Sequence, residues 1–102
     1  MDPAAKQAKA DRWRMHLEDL LAQADDRIEK SERRIADHHQ LMHGLAGDER
    51  QWQVSIELHR NLQAGLRLLI DHRRMLERES AHLARRDEQL AQLDLLSRDL
   101  TA

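Results

Sequence analysis

An all-α fold, an antiparallel coiled-coil-like hairpin of two long helices, is predicted by three features of the 102-residue sequence. Leu62, Leu69, Leu76, Leu83 and Leu90 recur at every seventh position. At about 3.6 residues per turn, that interval lays one nearly straight seam along a helix, and a seam needs a partner. The composition is dominated by Ala, Leu, Arg, Glu, Asp and Gln, with no Phe or Tyr and two Trp, so helix formers abound and the residues that strands favour are scarce. The third feature is a single clustered break in the interior, Gly44-Leu45-Ala46-Gly47-Asp48. Together these predict one helical-hairpin domain over residues 1–102, with a first helix over about 3–43, a turn over 44–48 and a second helix over about 48–100.

The first helix starts at Asp2-Pro3, with Asp as N-cap and Pro at the first helical position, where its missing N–H costs nothing. Beyond it, Leu17, Leu21, Ala24, Ile28, Ser31, Ile35, His38, Met42 and Leu45 follow at alternating steps of four and three, an uninterrupted heptad pattern. Asp26 with Lys30 and Glu29 with Arg33 are favourably oriented i,i+4 pairs on the opposite, solvated face. Gly44 is suited to a left-handed helix end, and Asp48 to capping the second helix, with Gln51 completing a capping box.

In the second helix a turn centred near residue 46 makes residue i face about 92 − i. The expected hairpin core is then Leu17, Leu21, Ile28, Ile35 and Met42 from the first helix against Leu58, Leu62, Leu69, Leu76 and Leu83 from the second. Arg73, Ser80 and Asp87 occupy the other seam position, where polar residues cost stability and commonly fix register. Apolar residues between Trp52 and Leu76 overflow the seam: Trp52, Ile56 and Ile70 fall to one side, Leu68 and Met75 to the other, with Leu66 between. A helix so widely apolar is expected to be buried on two sides, most simply in a homodimeric four-helix bundle and otherwise against a second helical protein. Leu90, Leu93, Leu95, Leu96 and Leu100 are expected to overhang the hairpin as a leucine-rich tail over 90–102. Trp52, Ile56, Leu66, Leu68, Ile70, Met75, Leu90, Leu93 and Leu96 are therefore the candidate partner-binding or dimer-interface residues.

The charge pattern disfavours several functional classes. Net charge is −2, and neither half of the chain is basic, since Arg33-Arg34, Arg73-Arg74 and Arg85-Arg86 are each diluted by nearby acids. Nucleic-acid binding through counterion release needs a clustered basic surface, and a membrane-surface helix needs a polar face rich in Lys and Arg. Neither nucleic acid nor membrane is an expected partner. Cysteine is absent, so disulfides and thiolate chemistry are excluded. Met1-Asp2-Pro3-Ala4-Ala5-Lys6 has no apolar core of signal-peptide length, and Leu68-Leu69-Ile70 is far too short to cross a bilayer, so a cytoplasmic protein is expected. The strong preference for Arg over Lys fits a GC-rich bacterial genome. No nucleophile, phosphate loop or pocket-building pattern stands out, so neither an enzyme nor a cofactor is expected.

Seven histidines are the remaining chemical feature. His39 and His43 are four apart and share a helix face, the spacing of two-His metal sites, which makes them weak candidate ligands. His38 and His59 both fall on seam positions near the turn; a buried imidazole resists protonation, so burial of both is expected to cost stability as pH falls through about 6. The seven-residue run Glu57-Leu58-His59-Arg60-Asn61-Leu62-Gln63 resembles the phosphoacceptor segment of sensor histidine kinases, which also sits on a helix of a dimeric four-helix bundle. The spacing from the histidine to the polar residues that follow departs from that family's pattern, so the resemblance implies a role to test at His59 and nothing further. The leading expectation is a non-catalytic protein–protein interaction module, a small coiled-coil adaptor, regulator or secretion-associated protein that binds a helical partner through the apolar face of the second helix. The alternative is a histidine-dependent module, with phosphotransfer through His59 or metal binding through His39 and His43.

Overall fold

In a computed structural model that describes residues 2–45 and 47–101, the chain is an all-α hairpin. Helix α1 spans Pro3–His43 and helix α2 spans Glu49–Thr101. Met1, Ala46 in the expected turn and Ala102 at the end of the expected tail lie outside the described residues. The molecule is a rod of 81 × 20 × 17 Å, its long dimension set by the 53 residues of α2, which at 1.5 Å per residue extend about 80 Å.

Both helices begin where capping chemistry directs. The Asp2 carboxylate accepts from the Ala4 N–H at 3.0 Å, with Pro3 in the first turn, and the Asp48 carboxylate accepts from the Gln51 N–H at 3.1 Å. These satisfy amide groups that a helix start leaves without partners. The end of α1 differs from expectation. Gly44 has φ −74° and ψ −11°, still right-handed, and no described residue has positive φ. The helix closes instead by tightening: the Gly44 N–H donates to the Leu41 carbonyl and the Leu45 N–H to the Met42 carbonyl, both at 3.1 Å and both over three residues. The Asp48 N–H then donates to the Leu45 carbonyl at 3.0 Å, which turns the chain toward α2.

This path displaces the register. Where a symmetrical turn would pair residues whose numbers add to about 92, the rings of His38 and His59 meet across the hairpin, numbers that add to 97. Arg73 pairs with Asp25 and Arg14 with Asp87, further along in the same sense. Because α1 ends right-handed and the connection continues forward before it reverses, the first turn of α2 lies beyond the end of α1, where Trp52 and Val54 are exposed. Counted in sevens from the histidine pair, Ser31 is level with Leu66, Ala24 with Arg73 and Leu17 with Ser80. In the alternate layers Ile35 is level with Leu62, Ile28 with Leu69 and Leu21 with Leu76. The shift sets small or polar residues opposite large ones in one set of layers and pairs aliphatics in the other, the interdigitation that close packing favours.

Leu17, Ala24 and Leu76 form the buried core, with Leu20, Leu21 and Leu83 packed against it. Ile28, Ile35, Met42, Leu62 and Leu69 are half-buried along the same seam. Leu58, expected in the core, is 48% exposed: the neighbouring His59 takes the seam position against His38, and Leu58 sits to one side of it. The polar seam residues make the cross-helix ion pairs: Arg73 reaches Asp25 as well as Glu77 on its own helix, and Asp87 holds Arg14. Half-exposed pairs of this kind contribute at most about 1 kcal/mol each. On the outer face Lys30 bonds Asp26 at 2.9 Å, and Arg33 bonds Glu29, which raises the guanidinium's affinity for its proton first through that hydrogen bond and then through charge.

Leu17, with 2% exposure, should be the most sensitive aliphatic position. Leu17→Ala is expected to cost about 3 kcal/mol by urea denaturation, whereas Leu58→Ala should cost under about 1 kcal/mol. Equal losses at the two positions would contradict this register.

Candidate interaction surface

Helix α2 carries two lengthwise apolar stripes rather than one. The first is the hairpin seam, and it takes in more than expected: Ile56, Leu66 and Ile70 are half-buried on or beside it. These three candidate partner-binding residues therefore pack within the hairpin. Leu66 stands seven residues before Arg73, on the seam itself, and Ile56 and Ile70 border it.

The second stripe is open. It runs at alternating steps of three and four through Leu58, Asn61, Gly65, Leu68, His72, Met75, Glu79, His82, Arg86, Gln89, Leu93, Leu96 and Leu100, and every one of these residues is exposed. Leu68 is 71% exposed and Met75 54%. Leu93, Leu96 and Leu100 continue the line into the tail, where all residues from Glu88 to Leu100 are exposed. Leu90 lies at the end of the seam, in a groove it shares with Lys6, Ala10, Trp13 and Leu83, so α1 reaches further along α2 than the expected overhang implied. Trp52 stands apart at the turn, beside Leu45 and Glu49. The sequence already contained the signal for the open stripe, a second heptad phase offset from the leucine seam, but its polar members conceal it.

The histidines gather at the turn end. His38 is buried, with 9% exposure, and its Nδ1 lies 3.3 Å from Nδ1 of half-buried His59, the two rings stacked at 5.5 Å. Such a contact is a hydrogen bond only while one Nδ1 carries a proton and the other is bare. His39 lies 4.8 Å, ring to ring, from His43 in a T-shaped arrangement and 6.1 Å from His59. The cluster is thus four rings in edge and face contact. Among the described residues no group of three or more His, Asp or Glu side chains is placed to hold a metal ion. The half-buried His59 ring lies 5.5 Å from that of His38 and 6.1 Å from that of His39.

No helix among the described residues is long and apolar enough to cross a membrane. No family model matches the chain, and neither a curated protein nor a solved structure is similar enough to count as a match.

The histidine layer gives a stability test. His38→Ala leaves the His59 ring without its partner and opens a gap in the seam, at an expected cost of about 1–3 kcal/mol. Replacing both His38 and His59 with Leu should recover that loss or exceed it, since aliphatic pairs fill a seam without desolvating ring nitrogens. Urea denaturation of the single and double variants checks both signs.

Proposed function

We propose that this protein is a non-catalytic interaction module that binds a helical partner along the open stripe of α2. The observation that carries this reading is the row of exposed aliphatic side chains from Leu58 through Leu68 and Met75 to Leu93, Leu96 and Leu100, set on one line of a single rigid helix. Helix-in-groove and coiled-coil recognition both read anchors at this three-and-four spacing.

The surface area supports it. The chain exposes 8657 Å². A globular monomer of 12.0 kDa is expected to expose about 6,000 Å², an excess here of about 2,700 Å². A standard interface removes about 800 Å² from each partner, well within that excess. A fully buried core of Leu17, Ala24 and Leu76 is also small for a rod of this length, so covering the open stripe adds to the stability of the hairpin itself.

A photo-crosslinking residue in place of Met75 or Leu96, introduced in the producing cells, should give a discrete covalent adduct. The same residue in place of Arg74 or Arg78, on the charged outer face, should give none. Absence of an adduct from both stripe positions, with the chain folded, would reject an interaction surface here.

A further inference from the structure

The open stripe is self-complementary. Beyond Leu58 near the turn, its aliphatic residues fall into two groups, Leu68 with Met75 and Leu93 with Leu96 and Leu100, separated by Glu79, His82, Arg86 and Gln89. Leu68 and Leu93 are 25 residues apart on one straight helix, about 37 Å. No described part of the same hairpin covers either group. In an antiparallel pairing of two identical helices the residue numbers of every facing pair add to a constant, so a single twofold axis can set a leucine of one group against a leucine of the other.

We propose that the partner on this stripe is the same stripe of a second copy of this chain, packed antiparallel about a twofold axis between residues 80 and 81. The inference rests on the interaction reading above and identifies its occupant. Three features select this register. Leu68 of one copy faces Leu93 of the other, twice by symmetry. Glu79 faces His82 of the second copy and lies within a turn of its Arg86, so the polar centre is matched in charge rather than merely solvated. Gly65 faces Leu96 of the second copy.

The glycine is informative. A Cβ built on Gly65 would meet nothing within 4 Å, so neither the hairpin core nor a close approach of α1 requires its bare backbone. Mid-helix glycine costs about 1 kcal/mol relative to alanine. It opens a groove between the helices that Asn61, Leu62 and Leu69 share with Arg27, Lys30, Ser31 and Arg34 of α1, and a leucine from a second copy enters it as a knob over Leu62 and Leu69, beside the aliphatic stems of those cations. Met75 faces the aliphatic stem of Arg86 from the second copy, which covers it while the guanidinium stays in water. The resulting assembly is a four-helix bundle with the two α2 helices at its centre.

Because the chain has no cysteine, single-cysteine variants report on this geometry without background. Leu68→Cys and Leu93→Cys chains, each checked for unchanged helical signal, are oxidised separately and as a mixture. The expected result is a disulfide dimer in the mixture and little in either alone, together with a mass near twice 12.0 kDa for the unaltered chain by light scattering. Gly65→Leu should weaken self-association by about tenfold or more while leaving the hairpin at least as helical. Cross-linking of Leu68→Cys to itself would mean a parallel pairing and overturn the proposal. An unaltered chain that stays at 12.0 kDa on concentration would overturn it as well. In that case an adduct between the Met75 cross-linker and a different protein would leave the interaction reading standing, and no adduct would remove both.

Discussion

Two helices touch along one line, and almost everything about this hairpin depends on that limit. A single seam gives each helix one buried stripe, so a chain of this length leaves most of its circumference in water whatever its composition. The core reflects it: Leu17, Ala24 and Leu76 are the buried apolar residues, and the rest of the seam is half-covered. Stability therefore rests on local helix formation, on capping at Asp2 and Asp48, and on many partly buried layers rather than on a deep interior.

A seam with so little depth is prone to slip by a heptad, because one leucine layer resembles the next. The features that resist slippage are the irregular ones. The His38–His59 contact has its partner in this register alone, since a slip of one heptad sets Leu66 or Trp52 against His38, while Arg73 would trade Asp25 for Glu18 or Glu32 and keep an opposite charge. The histidine layer is therefore the contact that contrasts with misaligned pairings. The same logic extends to the open stripe, where the polar residues between the two aliphatic groups give an otherwise uniform apolar line a defined centre.

The histidines show how chemistry suggested by spacing changes meaning in three dimensions. His39 and His43 share a helix face, and His59 lies close to His39, but the rings pack against one another instead of converging on a common point. His38 and His59 serve as one layer of the seam. What the surface offers beyond this is apolar area on a straight rod.

The helices themselves were legible in the sequence. Heptad spacing, helix-forming composition, Asp2-Pro3 and the Gly44–Asp48 break specify elements within a few residues, because helix propensity and capping act through neighbours along the chain. The charge pairs of the outer face followed for the same reason. Register did not, since it depends on the path of the turn: Gly44 stays right-handed, and the numbers of facing residues rise from about 92 to 97. Ile56, Leu66 and Ile70 are half-buried and Leu58 is exposed, so only the tertiary structure decided which apolar residues of α2 stay uncovered by α1. The physical reason is that a helix presents several apolar lines at once, and which of them is buried is a property of the neighbouring helix's position, which no local pattern encodes.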